Sequence, residues 1–293
     1  MSAIAPASTA ARTIALTALA MLAFAANSLL CRLALQQSSI DAASFGSVRL
    51  VAGALVLVAI VRLRSGPPSA ARSDWLAAAM LWAYVAAFSF AYVTLPAGAG
   101  ALILFGAVQL TMFAAGLSAG ERFSPTAWGG FALAVGGLLY LVSPGLAAPP
   151  LTGTLLMAAA GVAWGVYSLR GRGAGEPVAA TAGNFLRAAP LALLLSAASL
   201  VVAGPPHASG SGIALAMASG AITSGLGYVL WYAALRHLTA LRAATVQLSV
   251  PPLAALGGAW LLSEALTLRL VLSSAAILGG IALVLASRAR GKP

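Results

Sequence analysis

The chain has 293 residues, of which 61% are hydrophobic and 7% charged, and its mean hydropathy is +0.99. A soluble domain carries roughly 25% charged residues, so this chain has too little charge to cover a water-facing globule, and a lipid-facing surface removes that need. The net charge of +11, from 16 basic and 5 acidic residues, would suggest nucleic acid in a soluble protein. Here the basic residues stand singly between apolar runs, and an orientation signal is the better reading. The single Cys31 excludes an intramolecular disulfide and a cysteine metal cluster, and His207 and His237 stand in separate polar loops, so no metal or cofactor is expected.

The residues up to Arg12 are polar or small, and an apolar run follows at once. That run is longer than a signal-peptide core and ends without a clear cleavage site, so it is expected to be the first spanning helix, retained in the mature protein. Crossing ~30 Å of hydrocarbon takes about 20 apolar residues in a helix. Breaks at charged, Pro-rich and Gly-rich points predict ten spans, at 13–35, 41–61, 74–93, 97–118, 125–142, 152–170, 178–202, 211–234, 240–262 and 268–287. The runs are continuously apolar rather than alternating, which favours helices over barrel strands. The expected fold is all-α, an integral membrane protein of ten helices.

With the N-terminus inside, the cytoplasmic segments hold twelve basic residues: Arg12, Arg62, Arg64, Arg72, Arg122, Arg170, Arg172, Arg236, Arg242, Arg288, Arg290 and Lys292. The opposite side holds Arg269 alone. A wrong helix count would scramble this alternation, so count and orientation support each other.

The halves also echo each other. A shift of 143 residues pairs Ala91 with Ala234, Leu95 with Leu238, Ala97 with Ala240, Glu121 with Glu264, and Gly136-Gly137 with Gly279-Gly280. A looser match sets Arg49 in span 2 against Arg187 in span 7. Five spans per half is an odd number, so the halves must be inverted relative to each other, with residues 1–145 as the first repeat and 146–293 as the second. Such repeats are typical of secondary transporters that hold substrate near the midplane.

These features, with Leu238-Thr239-Ala240 opening span 9 and Ala163-Trp164-Gly165 in span 6, resemble the EamA-type drug/metabolite transporter superfamily. Within it, length and pattern are similar to the YddG-type amino-acid exporters of bacterial inner membranes. The resemblance implies two EamA-like repeats around a central cavity and export of a small metabolite. One departure is Asn27-Ser28, where the family more often has Trp-Gly, so an aromatic contact from span 1 is not carried over.

Pro251-Pro252 falls at the centre of span 9, where proline frees the carbonyls of Gln247 and Leu248. The freed backbone either faces a cavity, offering two carbonyls and the Gln247 amide to a substrate ammonium, or marks a packing kink and hinge. Arg49 and Arg187 sit near the middle of their spans, where a charge costs roughly 2.5–3.5 kcal/mol. Each either lines a cavity and attracts a carboxylate or bonds helix-end carbonyls of a neighbour. Recurrence in the repeat favours the second, a structural or gating role shared with Pro251 and Pro252. Arg32, near a helix end, is expected to snorkel. Buried amides are dearer than hydroxyls, so Asn27, Gln109 and Gln247 are candidate substrate-binding residues, with Tyr84, Trp164 and Tyr228 as the deep aromatics of an amphipathic pocket. The small-residue pairs Gly116 with Gly120 and Gly161 with Gly165 are read as packing devices.

All five carboxylates, Asp41, Asp74, Glu121, Glu176 and Glu264, fall at span ends or in loops, and no nucleophile–base pair or P-loop is present. The reading is therefore a transporter and not an enzyme: a carrier of amino acids, aromatic or apolar ones among them, or of related metabolites, by alternating access. The alternatives are a carrier for nucleotides, sugars or drugs, and, behind it, an intramembrane enzyme. The expected partners are a small-molecule substrate and the lipid bilayer, with no nucleic acid, and a monomer suffices.

Reporter fusions test the topology. Fusions after Lys292 and within 62–72 are expected to read cytoplasmic, and fusions within 204–212 to read on the opposite face. A mismatch between any two of these sites overturns the ten-span count.

Overall fold

The computed structural model describes residues 7–63, 74–120, 123–145, 148–171, 176–238, 243 and 246–290. Arg64, Arg72, Glu121, Arg122, Arg172, Thr239, Ala240, Arg242, Ala244, Thr245 and Lys292 lie outside the described residues. The helices are α1 (Ala7–Gln36), α2 (Ala42–Leu63), α3 (Trp75–Tyr92), α4 (Ala97–Ser118), α5 (Pro125–Val142), α6 (Leu151–Gly171), α7 (Pro177–Ala203), α8 (Gly210–Leu235), α9 (Val250–Leu262) and α10 (Leu268–Arg290). Among the described residues, nine helices are long and apolar enough to cross a membrane. Their outward faces carry large apolar side chains such as Leu55, Val201, Val202 and Trp260, which only lipid can cover on this scale. The chain is a multi-pass membrane protein.

Helix ends follow local chemistry. Asp74 opens α3 by accepting from Leu76 N at 3.0 Å, Ser124 precedes Pro125 at the start of α5, and Ser209 caps α8 through Gly212 N at 3.1 Å. Each fills a donor that the first helical turn leaves open. The Asp74 carboxyl is held below the usual carboxylate range, first by the Leu76 amide and then by Arg170, with which it pairs. Gly204, at φ 89°, ends α7 in a backbone region that glycine alone enters freely.

Two helices depart from the expected pattern. α8 is α-helical over Gly210–Ala218, π-helical over Ser219–Leu226 and α-helical again over Gly227–Leu235. Wide segments of this kind are rare and concentrate at functional sites. Span 9 is the second. Ala243, Val246 and Gln247 are helical, the chain turns at Leu248-Ser249, and the helix Val250–Leu262 follows with Pro251 and Pro252 in its first turn. Proline has no N–H to contribute, and the first turn is where that donor is not needed.

The packing has a simple regularity. α3 packs on α6 as α1 packs on α8; α4 packs on α6 as α9 packs on α1; α2 on α8 answers α3 on α7; and α2 with α7, α4 with α9 and α5 with α10 pair directly. This set is unchanged when every helix is exchanged for the one five places along.

Small residues make the crossings close. A Cβ on Gly161 would lie 2.6 Å from the Leu104 carbonyl and one on Gly165 2.8 Å from Thr111, so that pair seats α6 on α4. Gly120 meets nothing within 4 Å and lies beyond α4 with φ 80°; it bends the chain out of the helix rather than seating one. Gly130 and Gly280 meet backbone to backbone where α5 crosses α10: a Cβ on Gly130 would lie 2.5 Å from the Gly280 carbonyl, and one on Gly280 would strike the Gly130 carbonyl. Gly279 faces open space.

Gly280→Ala should therefore separate α5 from α10 and lower the melting temperature in detergent, by an overpacking cost of about 1–3 kcal/mol. The neighbouring Gly279→Ala, with no atom to strike, should leave it unchanged or slightly raised. Equal behaviour of the two variants contradicts the crossing.

Candidate functional site

The cavity at the centre of the bundle lies between α1, α2, α3, α4, α6 and α8, with Gln247 reaching in just ahead of α9. The empty space among its lining atoms, any opening to solvent included, is about 430 Å³.

α2 and α8 build its charged wall. They approach so closely that a Cβ on Gly220, inside the π-helical segment, would collide with the Arg49 carbonyl. This brings Ser224, one turn on, against the Arg49 side chain. Arg49 is 1% exposed. Its Nε donates to Ser224 Oγ at 3.2 Å and its Nη2 to Tyr84 Oη at 3.1 Å. The guanidinium carbon lies 5.2 Å from the centre of the Tyr84 ring and 5.0 Å from that of Phe88, a cation–π arrangement.

Asn27 anchors α1 to the same π-helical segment. Its Oδ1 accepts from Ser219 Oγ at 2.7 Å and lies 3.1 Å from Thr223 Oγ1, which also donates to the Ser219 carbonyl. Much of the remaining lining is aromatic. The Trp164 ring centre is 4.9 Å from that of Tyr84 and 5.5 Å from that of Tyr228, and Phe24 meets Tyr228 edge-on at 6.0 Å. Gln247 Nε2 donates to the Ala243 carbonyl at 3.3 Å.

Of the residues singled out from sequence, Asn27, Tyr84, Trp164, Tyr228 and Gln247 all line this cavity. Gln109 does not. It borders a separate, mostly apolar space of about 380 Å³ between α4, α5 and α10, with Phe113, Phe131 and Ile281. α4 is buried almost all round, so no polar face in its sequence distinguishes one side from the other.

Neither mid-span arginine bonds a helix-end carbonyl in the described structure. Arg49 lines the cavity, whereas Arg187 is half-buried with its guanidinium 5.6 Å from the exposed Trp75 ring. The two side chains do not share an environment. Phe24 and Ser28 are lining residues the sequence reading passed over. Phe24 lies one helical turn before Asn27-Ser28 and so shares their face. It supplies an aromatic contact from α1 despite the Asn-Ser at 27–28.

Carbonyl bonding falls instead to Arg32. Its Nη1 donates to the carbonyls of Tyr92 at 3.1 Å and Val93 at 3.0 Å, while its Nε pairs with Glu264 Oε1 at 3.0 Å. Glu264 Oε2 accepts from Ala97 N at 2.8 Å. Pro96 provides no cap for α4, and a carboxylate at a helix N-terminus is stabilised by the axial dipole. Ser263, at φ 54°, turns the chain so that Glu264 lies against Gly258, where a Cβ would come 2.5 Å from Oε2. Glu264 thereby ties the α9–α10 turn to α1 and α4. Its side chain is only 11% exposed, not the water-bathed carboxylate expected of a loop.

Three comparisons bear on identity. Residues 151–286 match the EamA-like transporter family. The chain is 57% identical over 277 residues to Uncharacterized protein PA1977 of Pseudomonas aeruginosa, covering 94% of this chain and 96% of that protein. A crystal structure of another protein superposes with a TM-score of 0.63 at 23% identity, covering 91% of this chain and 98% of that one; at that identity the likeness concerns fold.

Cys31, the single cysteine, is fully buried beside Arg32 and reports on the Glu264 tie. Glu264→Ala strips Arg32 of its counter-ion and leaves Ala97 N–H unpaired, so maleimide labelling of Cys31 in membranes should accelerate about tenfold or more. An unchanged labelling rate shows that the tie does not hold that end closed.

Proposed function

The chain belongs to the EamA-like transporter family, and from that premise we propose that it exports amino acids, aromatic and other apolar ones among them, or related small metabolites from the bacterial cytoplasm. The transport unit is a pair of inverted five-helix repeats, residues 1–145 and 146–293, in the inner membrane with both termini cytoplasmic. The packing that maps onto itself under a five-helix shift supports the repeats, and the one-sided distribution of basic residues supports the orientation. Likeness to the YddG-type exporters enters only as part of this proposal.

One observation carries the reading: a cavity within the bundle, with aromatic walls and a few polar groups, built by helices from both halves. A site shared between halves changes its access when they rock against each other, which is the mechanical requirement of alternating access. Asn27, Arg49, Ser224 and Gln247 offer hydrogen bonds to a polar head, and Phe24, Trp164 and Tyr228 offer faces to an apolar body. With the Glu264–Arg32–Ala97 tie in place, the arginine-poor end is the closed one.

None of the described lining residues is an Asp, Glu or His. Export would then run down the solute gradient or by exchange, with no proton bound at the midplane. In sealed proteoliposomes, counterflow of a labelled amino acid should proceed without a pH gradient and change little when one is imposed. Trp164→Ala and Gln247→Leu should each lower that flux without lowering folded protein. Strong stimulation by a proton gradient, abolished by an ionophore, contradicts the coupling. Flux of nucleosides or sugars with none of amino acids contradicts the substrate.

A further inference from the structure

The described residues that line the central cavity carry a positive charge and no negative one. Arg49 is the only one of these described residues that is ionised at neutral pH. Of the acidic residues, Asp41, Asp74, Glu176 and Glu264 stand at helix ends, and Glu121 lies outside the described residues. The two groups that Arg49 does reach, Ser224 and Tyr84, are neutral hydroxyls. Its third nitrogen, Nη1, is buried with no hydrogen-bond partner.

That arrangement is unlike a packing arginine. A guanidinium fixed for structure is normally saturated by carbonyls or a carboxylate, because a buried charge left uncompensated costs several kcal/mol. Arg32 in this same protein is compensated in that manner, by the Glu264 carboxylate and two carbonyls. Arg49 is instead held at two of its three nitrogens. The Gly220 crossing packs against its backbone, Ser224 and Tyr84 bond two nitrogens, and the Tyr84 and Phe88 ring centres lie 5.2 and 5.0 Å from its guanidinium carbon. What remains is one preorganised donor group without a partner.

We propose that Arg49 is the carboxylate-binding residue of the transport site. Its Nη1 takes an oxygen of a singly charged carboxylate while the apolar body of the solute lies among Phe24, Trp164 and Tyr228. The proposal rests on the reading of this cavity as the substrate site and sharpens it: the group recognised is the acid, not the amine. The charge count supports a monoanion, since one guanidinium neutralises one carboxylate and a phosphate dianion would carry excess charge into an apolar space. Organic cations are repelled by the same argument. The class transported is small monocarboxylates bearing an apolar or aromatic side group, with amino acids as the subset that also carries an ammonium.

The test uses matched ligands on the purified full-length protein in nanodiscs, with binding read by calorimetry. The pairs are phenylalanine with phenylalaninamide, leucine with leucinamide, and 3-phenylpropanoate with phenethylamine. The acids should bind about 10- to 100-fold more tightly than their uncharged-head or amine partners, the range a charge-assisted hydrogen bond commands. 3-Phenylpropanoate should bind although it has no amine. In Arg49→Gln, with folding checked by its melting temperature, the preference for acid over amide should disappear; Arg49→Lys should keep part of it, since the charge remains without the planar fork. Amides that bind as well as acids overturn the role of Arg49 and leave the cavity a substrate site. A folded Arg49→Gln that keeps the acid preference does the same. Failure of all six ligands to bind overturns the role of Arg49 and the amino-acid reading together. If Arg49→Gln does not fold, the wild-type pairs still decide.

Discussion

An arginine buried in the middle of an apolar bundle is the constraint from which the rest of the structure can be read. Lipid and side-chain hydrocarbon give a guanidinium nothing in exchange for its hydration, so every element around Arg49 has to offer compensation or shape. α8 becomes π-helical over Ser219–Leu226 where it meets α2, and its Ser224 reaches the guanidinium. α3 contributes Tyr84 twice, as an acceptor through its hydroxyl and as a polarisable face through its ring. Gly220 has no side chain because the Arg49 backbone occupies that volume. The central cavity is the space these adjustments leave.

Away from that centre the bundle is held by close contact rather than by polar bonds. Helices in lipid gain little from burying apolar surface against one another, so association depends on packing and on backbones that can approach. Gly130 with Gly280, and Gly161 with Gly165, supply such approaches. Polar fastening concentrates toward the ends, although Ser47 on α2 also bonds Ser196 on α7 at 2.7 Å and Thr181 on α7 lies 3.3 Å from the Tyr232 hydroxyl on α8. Asp74 joins Arg170 and takes Asn184 at its amide, Asp41 exchanges hydrogen bonds with the backbone of His207, and Ser39 accepts from Ser209.

Much of the fold was legible because the bilayer imposes a length and a composition, and nine of the ten expected runs satisfy both. In the ninth span the described helix is interrupted at Leu248-Ser249, just ahead of the proline pair, and part of the span lies outside the described residues. Trp164, Tyr84 and Tyr228 could be picked out as large aromatics deep in their spans, and Asn27 and Gln247 as amides too costly to leave in lipid. Gln109 obeys the same rule yet faces another space, because α4 gives no polar stripe from which a side could be chosen. The roles of the arginines were invisible for a different reason. Arg49 finds Ser224 175 residues away and Arg32 finds Glu264 232 residues away, and no local pattern specifies a partner at that distance.

The carboxylate of Glu264 serves two donors on different helices, Arg32 on α1 and the first amide of α4. Neither contact is improved by the loss of the other, and a small displacement of the α9–α10 turn sacrifices both at once. That end of the protein therefore has little to gain from opening part of the way. All-or-none closure is what separates a carrier from a leak: a mouth that breathed by degrees would at times connect the cavity with water on both faces, and the gradients across the membrane would run down through it.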